Sequence, residues 1–319
     1  MFQRNTCTTL IVIFLECLLF RGSEEICGQP HFKPLLPTED TVENRIANGI
    51  EAKRHSHPWQ ALIYKQTPEV LKFCGGSLID WQEQNASDLV LTAAHCVTDG
   101  FESNGTTVWE SLTYTVSKIF NGRESTLITN VSDVEVYLGM HIAIRVNSND
   151  KRFRVAAMMV GEFNKITRPH DIAVLKLDRM ATYSKVVQGV CLPMEDESLP
   201  TFSKHCVVVG WGLLANGWPS KRLQQVSANI YKDRIRNLTF NKRRMICTDG
   251  KETHAGASFG DSGGPLTCMK NGTYFIYGIM SFQFPEHCTD RMDKQAFVKV
   301  SHYIKWLNKV IPKLNETRT

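Results

Sequence analysis

The run Phe259-Gly260-Asp261-Ser262-Gly263-Gly264-Pro265-Leu266 sets a serine in nearly bare backbone late in the chain, and this restricts the architecture more than any other feature. A serine hydroxyl attacks a carbonyl usefully only where a base takes its proton and backbone N–H groups receive the charge developing on oxygen. The flanking glycines leave such groups uncovered, so hydrolysis is the chemistry this run suggests. Upstream, Leu91-Thr92-Ala93-Ala94-His95-Cys96 follows an apolar strand-like stretch, Leu89-Val90-Leu91, and offers His95 as the base. His170-Asp171-Ile172-Ala173-Val174-Leu175-Lys176-Leu177 puts an acid just before a second strand, where Asp171 can be buried and aimed at an imidazole. Singly, each has a plain reading: a turn serine, a surface or core histidine, a turn-forming aspartate. Three such patterns in this order are not explained that way.

A glycine-flanked serine also fits the nucleophile elbow of α/β-hydrolases, whose acid and histidine come after the serine. Here Asp290, Asp293, His287 and His302 do so, in too short a tail for that fold. The order histidine, aspartate, serine instead resembles the chymotrypsin/trypsin family of serine endopeptidases. The resemblance runs from roughly Ile46 to Val310, since Val207-Val208-Val209-Gly210-Trp211-Gly212 and Gly278-Ile279-Met280-Ser281-Phe282 also look like family strands. It implies Ser262 as nucleophile, His95 as general base and then acid, Asp171 as the group fixing the imidazole tautomer, and the N–H groups of Gly260 and Ser262 as the oxyanion hole. The many short strands with turn signals predict an all-β protein, and the resemblance implies two six-stranded Greek-key β-barrels with a C-terminal α-helix. The helix is expected over Ser301–Val310, with Ser301 as its N-cap. Further strands are expected at Val134–Gly139 and Ile142–Val146.

The 319 residues, 42% hydrophobic, can bury a large core, and the net charge of +5 is not gathered into a long run. The short clusters at Lys151, Arg152, Arg154 and at Lys242, Arg243, Arg244 read as solvated loops, so nucleic-acid binding is not indicated. Arg4 followed by Leu10–Phe20 reads as a secretory signal over residues 1–23, too short for a stable membrane anchor. Sequons begin at Asn85, Asn104, Asn130, Asn237, Asn271 and Asn315. Eight of the ten cysteines lie beyond the signal, which points to an oxidising compartment, although eight cysteines allow 105 pairings. The resemblance implies Cys74 with Cys96, Cys206 with Cys268 and Cys27 with Cys191, and leaves Cys247 and Cys288 either paired together or free.

Residues 24–45, with Pro30, Pro34 and Pro37, read as an extended propeptide before a domain spanning 46–319. Arg45-Ile46-Ala47-Asn48-Gly49 looks like an activation junction; in the family, the freed amino group of the isoleucine pairs with the acid before the nucleophile, here Asp261. The 75 residues between His95 and Asp171 exceed the family's usual spacing, and the surplus is expected at about 98–130, in a loop beside the candidate base. At the base of the primary pocket, where an acid would select lysine or arginine, stands Gly256. Ser281, Gln283 and Gln295 fall on the pocket walls, and the longer glutamines are expected to narrow or polarise it.

The implied product is a secreted serine endopeptidase preferring small or medium uncharged side chains. Its partners would be protein or peptide substrates, an activating protease and protein inhibitors. No metal or other cofactor is required, since no Cys-x-x-Cys or His-x-x-x-His spacing occurs. A protease-like binding protein with an obstructed cleft is the alternative.

Overall fold

The computed structural model describes residues 27–35, 49–66, 71–82, 85–99, 127–143, 151–163, 170–199, 206–214, 218–230, 243–249, 261–283 and 294–316. The strands in chain order are β1 (Ile50–Glu51), β2 (Gln60–Gln66), β3 (Leu71–Leu78), β4 (Ala86–Thr92), β5 (Thr98–Asp99), β6 (Leu127–Ile128), β7 (Val134–Leu138) and β8 (Arg152–Val160). They continue with β9 (Ala173–Thr182), β10 (Cys206–Gly210), β11 (Gln224–Ser227), β12 (Asn229–Ile230), β13 (Met245–Asp249), β14 (Pro265–Lys270), β15 (Thr273–Gln283) and β16 (Lys294–Lys299). A single α-helix among the described residues, α1 (Val300–Glu316), closes the chain.

Strands β2-β3-β4-β9-β8-β7 form a closed barrel, which leaves no free edge. Its central strands are buried on both faces, as in Leu89-Val90-Leu91 facing Val174-Leu175-Lys176. The second body is an eight-stranded antiparallel sheet in the order β1-β11-β10-β14-β15-β16-β13-β12. The expected all-β double-barrel architecture is therefore present, with the second half seen as a continuous sheet among the described residues.

Two expectations need correction. The helix begins at Val300 and runs through Pro312 to Glu316, six residues beyond the expected end. Ser301 lies inside it rather than capping it, and its hydroxyl donates to the Glu197 carbonyl at 3.0 Å. Proline removes one helical donor, but the last turn is held from outside. Leu314 is buried, and Asn315 Oδ1 accepts from Lys176 Nζ at 2.6 Å, while the same ammonium pairs with Asp88 at 2.7 Å. In the expected strand at Ile142–Val146, Ile142 makes only an isolated bridge to Arg222, and residues 144–150 lie outside the described residues.

The expected insertion has a defined stem. Thr98 pairs with Ile128 across β5 and β6, Thr129 N donates to Val97 O at 3.0 Å, and buried Lys65 donates to Thr98 O at 3.0 Å. Residues 100–126, with Asn104, lie outside the described residues. Bridges join Cys27 to Cys191, Cys74 to Cys96 and Cys206 to Cys268, the three pairings the resemblance implies. Cys247 is also disulfide-bonded, so it is not free; Cys288 lies outside the described residues.

Candidate active site

Antiparallel pairing of β4 with β9 sets Thr92 opposite Ala173. The chain leaving β4 after Thr92 must then face the chain entering β9 before Ala173, and this register brings His95, on a short 3₁₀ turn (Ala94–Cys96), to Asp171. His95 Nδ1 lies 2.8 Å from Asp171 Oδ2, and the His95 backbone N–H donates to Oδ1 at 2.9 Å. A third donor comes from the other body: Ser281 Oγ is 2.5 Å from Asp171 Oδ2. Burial pushes the Asp171 pKa up, but facing His95 and the donors from His95 and Ser281 outweigh it and hold the carboxyl below its ordinary range. An ionised carboxylate only accepts, so the imidazole proton sits on Nδ1 and Nε2 presents a lone pair.

Ser262 enters the same junction through its backbone. Its carbonyl accepts from Gly75 N of β3 at 2.7 Å. Gly263 comes next at φ 78°, a left-handed conformation that suits glycine, and a Cβ there would stand 3.1 Å from Ala93 N while overlapping Thr92 Oγ1. The serine backbone is thus pressed against the segment leading into His95. Among the described residues no hydrogen bond joins Ser262 Oγ to His95 Nε2, which has Cys96 Sγ at 3.9 Å. Such bonds often tighten only when substrate is bound.

Asp261, directly before the serine, is buried and accepts from Gly212 N at 2.7 Å. A Cβ at Gly210 or Gly212 would overlap its carboxylate, so these glycines are what lets the acid lie against the chain after β10. A small cavity opens beside it, lined by Val208, Gly210, Gly212, Leu214 and Gln225 as well as Asp261. Gln225 pairs with Ile50 of β1, so the chain emerging from the expected junction arrives next to this cavity. Gln225 also links two further groups: buried His57 donates through Nε2 to its Oε1 at 3.1 Å, and its own Nε2 donates to the Leu35 carbonyl of the N-terminal arm.

Arg45, Ile46, Gly256 and Gly260 lie outside the described residues, as does the Gln283 side chain. Gln295 is buried opposite Thr248, whose hydroxyl donates to its Oε1 at 3.4 Å. The hydroxyl of Ser281, a residue expected on the pocket wall, donates to Asp171, a contact that sequence reading missed. Cys74, His95 and Cys96 bring three metal-type ligands together, but the two sulfurs are bonded to each other and offer no thiolate. No helix among the described residues is long and apolar enough to cross a membrane.

The two-body β fold agrees with what comparison with known proteins finds. A profile of the trypsin family matches residues 46–307, and the chain belongs to that family, the trypsin-like serine proteases. It is 32% identical over 309 residues to chymotrypsin-C of Bos taurus, covering 93% of this chain and 97% of that protein. It is 30% identical over 292 residues to chymotrypsin-like elastase family member 1 of Macaca fascicularis, covering 86% and 93%.

Proposed function

We propose that this protein is a secreted serine endopeptidase, made as a zymogen, that cleaves peptide bonds through an acyl-enzyme on Ser262. The observation that carries this reading is the His95–Asp171 pair, whose two hydrogen bonds fix the imidazole with Nε2 unprotonated at the junction that Ser262 enters. In the proposed reaction Ser262 Oγ bonds to the substrate carbonyl carbon while His95 Nε2 takes the hydroxyl proton. The oxyanion is received by the N–H groups of Gly260 and Ser262. Collapse breaks the C–N bond, and His95 returns the proton to the leaving amine. Water then repeats the sequence, releasing the acid and restoring the serine.

The signal at 1–23 would direct secretion and the arm at 24–45 would be the propeptide. Cutting after Arg45 would free the Ile46 amino group, and the cavity beside Asp261 supports its insertion there as an ion pair. Gly256 at the pocket base, with Gln295 buried on the wall, supports a preference for small or medium uncharged side chains over lysine and arginine. Protein substrates, an activating protease and protein inhibitors are the partners this function entails.

A second reading, a protease-like binding protein, is favoured by one observation: the stem of the 98–130 insertion starts at Thr98, close after His95. Reaction with a fluorophosphonate separates the two. Cleaved after Arg45, the chain is expected to be labelled at Ser262, whereas Ser262→Ala and Arg45→Gln variants stay unlabelled. A folded, cleaved chain that takes no label would favour the binding role.

A further inference from the structure

His170, which precedes Asp171, belongs to none of the roles above, yet three elements meet on its ring. Tyr303 of α1 lies with its hydroxyl 3.2 Å from His170 Nδ1 and its ring edge-on at 5.8 Å. Arg244, in the turn before β13, brings Nη1 to 3.1 Å from Nε2, and its own carbonyl is held by Lys299 N at 2.7 Å. The backbone of His170 is strained, with φ 58°, a left-handed conformation uncommon for residues other than glycine. Its carbonyl accepts from Ile172 N at 2.8 Å, which turns the chain tightly around Asp171. A Cβ at Gly161 would stand 2.6 Å from that carbonyl, so glycine is what lets the turn lie this close to the chain leaving β8.

The ring's protonation is set by its partners. A guanidinium can only donate, so Nε2 must be bare and the proton must sit on Nδ1, directed at the Tyr303 oxygen. A second proton would put N–H against N–H and positive charge against positive charge, and the Arg244 bond could not survive it.

We propose that His170 is a proton-sensitive positioning residue for Asp171: neutral, it is clamped between Arg244 and Tyr303 and holds the strained turn; protonated, it loses Arg244 and releases the turn. This inference rests on the endopeptidase reading. The charged and titratable groups around the ring are Arg244, Tyr303 and His302 from the second body and α1, Glu162 from the connection after β8, and Asp171 itself. Burial lowers the His170 pKa first, Arg244 and His302 add to that, and Glu162 opposes it. The clamp is therefore complete at neutral pH and is lost as pH falls through a value below that of an ordinary histidine.

The test is the rate at which a fluorophosphonate labels Ser262 of the full chain, activated by an immobilised protease that is then removed, between about pH 4.5 and 7.5. If protonation of His95 alone stops the reaction, the acid limb falls about tenfold per pH unit; with His170 also titrating, it steepens towards about a hundredfold. His170→Asn keeps a polar group that tolerates positive φ but does not titrate, and it is expected to restore the tenfold limb. Arg244→Met removes one side of the clamp at every pH, so it is expected to lower the rate at pH 7.5 and to leave a tenfold acid limb.

A wild-type limb of only tenfold, or an unchanged steep limb in His170→Asn, would overturn the proposal. So would a His170→Asn rate lowered equally at every pH with its slope unaltered, the mark of a merely structural role. Should that variant fail to fold, the wild-type slope and the Arg244→Met limb decide, and a steep limb retained in Arg244→Met would overturn the proposal. Wild-type protein that no fluorophosphonate labels at any pH would refute the endopeptidase reading itself, and this inference with it.

Discussion

The two bodies of the molecule contribute to the junction in different ways. The closed barrel brings its two groups together by strand register: with Thr92 opposite Ala173, His95 and Asp171 meet through hydrogen bonds complete in the described chain. The eight-stranded sheet brings Ser262 on a loop that glycines allow to come close, with Asp261 buried against Gly212 beside a cavity. One side is fixed by the barrel itself, and the other depends on how one carboxylate is seated. Under the proposed function, the second side is where processing would act.

Substitutions should separate the two sides. Asp171→Asn strikes the barrel side and offers the imidazole an amide in place of a carboxylate, favouring the wrong tautomer; kcat is expected to fall about 10⁴-fold. The downfield resonance of the His95 Nδ1 proton should vanish with it. Gly212→Ala strikes the sheet side, since the added methyl overlaps the Asp261 carboxylate. It is expected to cost about 10²–10³-fold in kcat, as loss of oxyanion stabilisation does, while the His95 proton resonance stays. Loss of that resonance in Gly212→Ala would show that the two sides are not independent.

The smallest effect concerns His57, at the entrance to β2, which joins the bodies through Gln225 of β11. Burial pushes its pKa down to about 4, only partly offset by the Gln225 bond, and its Nδ1 has no partner among the described residues. Because the folded value lies below the unfolded one, the stabilisation is full above about pH 6.5 and is lost as pH falls towards 4. Over that interval the wild type is expected to lose about 3 kcal/mol more than His57→Phe. Urea titrations at both pH values measure this, and equal losses would mean that His57 is not held neutral by the fold.

Much of the site was legible because it is written in local runs. His95 and Asp171 each stand at the end of an apolar strand, and their meeting needed only those strands to be neighbours. Ser281 was not legible, and the reason is geometric. The register of β15 against β16 shifts between Met280 and Phe282, so Ser281 sits at an irregularity that re-aims its side chain towards Asp171. An alternating pattern in Gly278–Phe282 carries no sign of such a slip. The helix end was misjudged for a related reason: the burial of Leu314 and the Lys176–Asn315 bond, which hold the last turn, depend on residues far away in sequence. His170 reads as a turn residue until Tyr303 and Arg244 are seen around it.

The bridge between Cys27 and Cys191 ties a point ahead of the expected cut to one deep in the body. Scission anywhere in residues 36–48 would therefore divide the polypeptide without liberating anything. The product would be a two-chain molecule, heavier by one water and splitting on a gel only after thiol treatment. Gly28, which donates to Gly189 O and accepts from Tyr274 N, would keep its seat through that event. Under the proposed activation the leading arm would thus stay as a permanent light chain rather than leave as a discarded tag.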